Sequence, residues 1–80
     1  MMKFWLLSQS RLTGYDTYDS VVVAAETEEA ARATPPDAYC QPSDGRFSCW
    51  PSPEHVVVEF LGEAPYGREA GVICASFNAG

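Results

Sequence analysis

The three cysteines and the one histidine of this sequence are of the types that most often bind zinc or form a nucleophile and base pair. They are Cys40, Cys49, His55 and Cys74. Zinc sites ordinarily include two ligands joined by a short C-x2-4-C spacing, whereas these four follow the pattern C-x8-C-x5-H-x18-C. The spacing therefore does not favour a metal site, and we expect neither a metal nor a cofactor.

The sequence contains one histidine, His55, which directly follows Glu54. Nucleophilic catalysis needs a serine or cysteine within hydrogen-bond reach of such a base, and no spacing in the chain points to one. The glycine-bearing stretches GYDTYDS and LGEAPYG lack the G-x-x-x-x-G-K pattern of a phosphate-binding loop. We therefore predict that the protein is not an enzyme.

The cysteine count also bears on the redox state of the chain. Three cysteines are an odd number, whereas a disulfide framework usually has an even one. The N-terminal stretch MMKFWLLSQSR has no signal-peptide pattern, and the longest apolar run is five residues, Val21 to Ala25, far below the roughly 20 of a membrane span. These observations predict a cytosolic protein with reduced thiols, and a Cys40–Cys49 disulfide is the alternative.

Eighty residues predict a single compact domain over residues 1–80. Apolar residues that alternate along the chain, or that occupy both faces, predict strands. Thr27 as the N-cap, the alanines after it, and Pro35 and Pro36 beyond them predict one short helix. A PSDG turn predicts a short hairpin. The expected strands are 3–8, 15–25, a 39–40/46–50 pairing, 54–63 and 71–77, and the helix is 26–33. The fold class is then α+β: an antiparallel or mixed sheet of about five strands with the helix on one face, in the order β-β-α-β-β-β.

The candidate recognition surface lies in one stretch that is rich in acidic residues and contains no base. The formal net charge of the whole chain is −6, from 11 acidic and 5 basic residues. This charge disfavours direct binding to nucleic acid and favours a basic protein partner, unless it serves only solubility. The candidate partner-binding residues are Tyr15, Asp16, Tyr18, Asp19, Glu26, Glu28 and Glu29.

Each candidate also has a purely structural interpretation. Glu28 and Glu29 suit the first turn of a helix, where the helix dipole favours anions, and tyrosines of a strand often pack against their neighbours. In a regular strand Asp16 and Asp19 would point to opposite faces, so they form one site only if a bulge or a turn breaks the alternation.

Several blocks of the sequence together resemble a family of small phage and prophage proteins. The blocks are KFWLL, GYDTYDS-VVVAAETEEAAR, VEFLGEA and GVICASFNAG. Over nearly its whole length the chain is similar to anti-CRISPR proteins directed at the type I-C system. The resemblance implies an inhibitor without catalytic activity that binds the Cascade surveillance complex and blocks target DNA binding.

A second interpretation belongs to a different class of function. The chain could be a phage accessory protein that binds another host protein, unrelated to CRISPR, through a sheet edge or the acidic stretch. The sequence predicts a monomer or a weak dimer, because an unpaired cysteine or a free sheet edge can join two copies.

Overall fold

The computed structural model describes residues 1–13, 16–37, 40, 42–43 and 49–78. Its strands are β1 (Lys3–Ser8), β2 (Thr17–Ala25), β3 (Val57–Glu63) and β4 (Gly71–Asn78). The helix α1 spans Glu28–Arg32, and a 3-10 turn at Pro53–His55 leads into β3. The strands form one antiparallel sheet in the order β3-β1-β2-β4. The fold is a small, mostly sheet α+β domain.

Strand β1 occupies a central position in the sheet, as its two apolar faces predict. Trp5 and Leu7 are buried on the side that carries α1, which we call the core side. Phe4 and Leu6 lie half-buried on the opposite side, which we call the open side. A strand with apolar side chains on both faces needs neighbours at both edges, and β1 pairs with β2 and β3.

Helix α1 follows the predicted cap residue but is shorter than predicted. The Thr27 hydroxyl accepts a hydrogen bond from the backbone N–H of Ala30 at 3.1 Å, which confirms the predicted N-cap. Glu28 and Glu29 lie in the first turn. The helix is shorter than the predicted 26–33, because Glu26 and Thr27 precede its first turn and Ala33 is its C-cap.

The hydrophobic core lies between the core side of the sheet, α1 and the segment that leads from α1 to β3. Trp50 and Pro51 of that segment are fully buried, and Ala31 is the buried residue of α1. The Trp5 indole N–H donates a buried hydrogen bond to the Ala25 carbonyl at 3.0 Å, so this large side chain leaves no polar atom unpaired. The buried cluster comprises Trp5, Leu7, Val21, Val23, Ala25, Ala31, Cys40, Trp50 and Val56.

Two expectations about the strands are not confirmed. The described residues form four strands rather than five, and the predicted element order is not confirmed. Cys49 and Trp50 lie in a bend, while most of the predicted hairpin and part of its PSDG turn fall outside the described residues. Strand β3 begins at Val57 rather than Glu54, because Pro53 initiates the 3-10 turn. Among the described residues, no helix has the length and apolar character needed to cross a membrane.

Candidate partner-binding site

The structure divides the predicted acidic surface into two groups. Asp16 and Asp19 lie at the start of β2, and we call them the β2-start group. Glu26, Glu28 and Glu29 follow the end of β2 and begin α1, and we call them the α1 group. The nine residues of β2, Thr17–Ala25, separate Asp16 from Glu26, a distance of about 30 Å at the usual rise of a strand. The five carboxylates therefore do not form one contiguous patch.

The β2-start group is placed by two backbone irregularities. Asp16 has a positive φ of 60°, a conformation that aspartate tolerates better than most residues. The register between β2 and β4 shifts between Tyr18 and Ser20, so Asp19 is an extra residue in its strand. Both aspartates are exposed. The break in alternation that a joint Asp16–Asp19 site requires is thus present in the strand.

Tyr18 lies between the two aspartates but packs inward. Its ring is half-buried against the core cluster and lies 4.8 Å from the ring of Phe77, centroid to centroid. Its hydroxyl donates to Asp37 Oδ2 at 3.4 Å. Desolvation of the phenol, followed by the charge and hydrogen bond of Asp37, raises the pKa of Tyr18 above its ordinary value. Tyr18 therefore supports the fold here, and Tyr15 lies outside the described residues.

In the α1 group, the carboxylates differ in how far they are neutralised. Glu28 pairs with Arg32 across one helical turn at 3.5 Å, in an exposed ion pair of the kind that contributes little to stability. Arg32 also donates to the carbonyls of Pro53 and Val56. Lys3 Nζ lies 3.4 Å from the backbone carbonyl of Glu26, and this contact leaves the Glu26 carboxylate exposed. Glu29 is exposed as well.

Glu63 is a further acidic residue at the end of the sheet where β2 leads into α1, and the sequence-based prediction did not include it. Lys3 of β1 is directly opposite Ala25 of β2 on one side and Glu63 of β3 on the other. This pairing places Glu63 at the same end of the sheet as Glu26, and the Glu63 side chain is exposed. The signal would have been the pairing of β1 with two antiparallel neighbours, which the linear order of charges does not display.

The one histidine, His55, lies beside an acidic residue in the turn that leads into β3. Its Nε2 lies 3.5 Å from Glu54 Oε1, and the Glu54 side chain is largely exposed. Both residues belong to the 3-10 turn before β3. Among the described residues, no three histidine, cysteine or acidic side chains gather as a metal site would require.

Two of the three cysteines are not the reduced thiols that the sequence predicts, and the alternative disulfide is present instead. Cys40 and Cys49 form a disulfide, with Cα atoms 6.0 Å apart, while Cys74 is free and exposed. Backbone hydrogen bonds fix both cysteines of the bridge. The Cys40 N–H donates to the backbone carbonyl of Asp37 at 3.0 Å, and the Cys49 carbonyl accepts from the Tyr18 N–H at 3.0 Å. The disulfide thus joins two parts of the long segment between α1 and β3.

We expect reduction of this disulfide to weaken the fold without abolishing it. A bridge between residues nine apart contributes about 2–3 kcal/mol through the restricted unfolded chain, whereas a domain of this size has about 4–12 kcal/mol in all. Urea unfolding of a Cys40→Ser/Cys49→Ser variant measures the loss. Cys74→Ser is the matched control, because its thiol is exposed and unbonded. Equal stability of the two variants would contradict a structural role for the bridge.

Comparison with protein-family models, with curated proteins and with solved structures finds no match to this chain.

Proposed function

We propose that this chain is a binding protein without catalytic activity, and that its partner is a protein with a basic, DNA-binding surface. The proposal depends on one observation above all: exposed carboxylates lie at both ends of β2 in a chain of net charge −6. Basic surfaces that hold DNA attract such a ligand over long range, because they are built to bind phosphates.

The partner that we propose is the Cascade complex of the type I-C CRISPR system, and the proposed effect is a block of target DNA binding. The sequence resemblance to anti-CRISPR proteins supports this choice. The two acidic groups, about 30 Å apart along β2, suit two separate contacts on an extended basic channel better than a single charged pocket. A protein that occupies those cations competes directly with the DNA backbone.

Within this proposal the carboxylates carry more of the recognition than the tyrosines. The ring of Tyr18 is engaged with Phe77 and its hydroxyl with Asp37, so this side chain would have to leave its packed position to serve as an anchor. Asp16, Asp19, Glu26 and Glu29 need no such rearrangement, because they are exposed already. Glu28 contributes less, since Arg32 partly neutralises it.

The proposed site of action is the bacterial cytosol, where thiol-reducing systems act on disulfides. The Cys40–Cys49 bridge lies at the core, and Cys40 is almost completely buried. Burial slows access of a reducing thiol. Action in the cytosol therefore requires that the inhibitor stays folded both with the Cys40–Cys49 disulfide intact and with it reduced.

Size exclusion of the chain mixed with purified type I-C Cascade tests the choice of partner. We expect co-elution at low ionic strength, and progressive loss of the complex as salt screens the charges. Failure to co-elute at low salt would overturn Cascade as the partner. In that case the second candidate function, an accessory protein that binds another host protein, is favoured by the uncharged edge strand β4.

A further inference from the structure

The two edge strands of the sheet are protected to different degrees. Strands β3 and β4 each have one edge that no described strand pairs. Strand β3 carries Glu59 and Glu63, whereas a pairing irregularity occurs in both edge strands, in β3 opposite Phe4 and Trp5 and in β4 opposite Val22 and Val23. Charges and bulges at an edge discourage pairing with another chain. Strand β4 contains neither a charged residue nor a proline over eight residues, so it lacks these protective side chains.

Strand β4 is also sparsely covered on its faces. Helix α1 packs against β1, β2 and β3, while the extensive packing of β4 is with β2. Val72 and Phe77 remain 39% and 47% exposed, respectively, and Cys74 is exposed as well. An uncharged apolar strand with open backbone hydrogen-bonding groups is a template for a further strand.

The charges around β4 indicate what kind of strand fits there. A basic segment would find no carboxylate within β4, and the preceding Arg68 and Glu69 offset one another. A strand from a second copy of this acidic protein, in contrast, would meet the carboxylates of Glu59 and Glu63 at the β3 edge, whereas β4 contains no charged residue that would repel it. The segment of this chain that is extended, apolar and uncharged in the same way is β4 itself.

We propose that β4 pairs antiparallel with β4 of a second copy of the chain, about a two-fold axis, and extends the four-stranded sheet to eight strands. Residues opposite one another in such a pair must share a face. Ala75 pairs with Val21 on the core side, whereas Cys74 and Ser76 pair with Val22 and Ser20 on the open side. A two-fold axis at Ala75 meets this condition.

With the axis at Ala75, the residue sizes of β4 are self-complementary. Cys74 lies opposite Ser76 of the second copy, so small side chains meet at the centre. Ile73, the extra residue at the irregularity in β4, lies near Phe77 of the second copy, so apolar side chains meet at both ends. The register of β4 on β2 is unbroken from Cys74 to Ser76, which leaves the centre of the strand regular enough to pair.

The expected dimer is weak and responds to salt in the opposite sense to the proposed Cascade complex. One strand pairing buries less than the roughly 1,200–2,000 Å² of a stable interface, so self-association should require high protein concentration. Each copy carries a net charge of −6, and added salt screens that repulsion. The dimer should therefore strengthen with salt, whereas binding to a basic partner weakens, and the two proposals can fail independently.

Sedimentation velocity from micromolar to millimolar protein, at low and high salt, tests the dimer. We expect a dimer fraction that rises with concentration and with salt. A short bismaleimide should trap it through Cys74, because the two Cys74 residues are diagonal neighbours about 7–8 Å apart across the two-fold axis. A chain that stays monomeric at millimolar concentration in high salt would overturn the proposal.

Charge variants locate the interface. Ala75→Lys places two lysines directly opposite across the axis and should keep the protein monomeric. Tyr66→Lys adds the same charge at a fully exposed turn residue and should dimerise like the parent chain. If Ala75→Lys fails to fold, Ser76→Lys on the exposed open side serves in its place. Equal dimerisation of the β4 variant and Tyr66→Lys would contradict the β4 interface.

Discussion

Replacement of Trp50 by alanine is expected to lower the free energy of unfolding by about 3–5 kcal/mol, the largest single-residue effect on stability in this chain. Trp50 is the largest fully buried side chain, with 1% of its surface exposed. It joins the segment after α1 to a core that also contains side chains of the sheet and of the helix. Its removal leaves a cavity that the neighbouring disulfide and the buried Pro51 prevent from collapsing.

The expected loss is a large fraction of the total stability, which is about 4–12 kcal/mol for 80 residues. Urea unfolding followed by far-ultraviolet circular dichroism measures it without relying on the mutated fluorophore. Trp50→Phe should cost less, because the ring still fills part of the space. Tyr66→Ala is the exposed control and should change stability by less than about 0.5 kcal/mol. A cost below about 1 kcal/mol for Trp50→Ala would contradict the position of this residue in the core.

Charge reversal of either acidic group is expected to slow association with the basic partner by about 10–10³-fold, because long-range attraction sets the encounter rate. The two double variants are Asp16→Lys/Asp19→Lys at the β2-start group and Glu26→Lys/Glu29→Lys at the α1 group. Glu28 stays unchanged, since it pairs with Arg32. Reversal of both groups together should abolish inhibition while the circular dichroism spectrum stays unchanged.

A matched control separates local recognition from net charge. Glu54→Lys/Glu69→Lys also changes the net charge by four units, from −6 to −2, at exposed positions outside both groups. Surface plasmon resonance on immobilised Cascade gives the association rates. The account expects the control to keep most of its rate. A control that loses as much as the two double variants would show that overall charge, and not these residues, governs binding.

Much of the sheet could be predicted because local patterns and tertiary structure agree there. The stretch KFWLLS is apolar on both faces, and β1 is central. Thr27 and the alanines after it define a helix whose cap hydrogen bond forms as expected. The valines of β2 and β3 are strong strand formers, and both segments are strands over most of their predicted length.

The acidic groups were harder to predict because their positions depend on contacts that a linear pattern does not contain. The bulge at Asp19 allows Tyr18 and Val21, three residues apart, both to face the core. Strand alternation alone would place them on opposite sides. The sequence did predict a long strand between Asp16 and Glu26. However, the acidic residues are close together along the chain, and this closeness suggested one patch although an extended strand separates its two ends.

The disulfide illustrates a different limit. An odd cysteine count and the absence of a secretory signal favoured reduced thiols, yet the turn at Asp37–Cys40 and the bond from Tyr18 to the Cys49 carbonyl bring two of the three together. Neither contact has a signature in the sequence, because each joins an irregular segment to a distant backbone group. Cysteine arithmetic alone does not reveal which pair is close.

DNA competition shows whether the exposed carboxylates occupy a DNA-binding surface of type I-C Cascade. Fluorescence anisotropy follows labelled target DNA as it binds Cascade that has been incubated with increasing amounts of the chain. DNA binding should fall in proportion to the bound chain, and the variant with both acidic groups reversed should have no effect. If the chain co-elutes with Cascade while DNA binds unchanged, the carboxylates do not occupy the DNA-binding surface, and the block moves to a later step, such as nuclease recruitment.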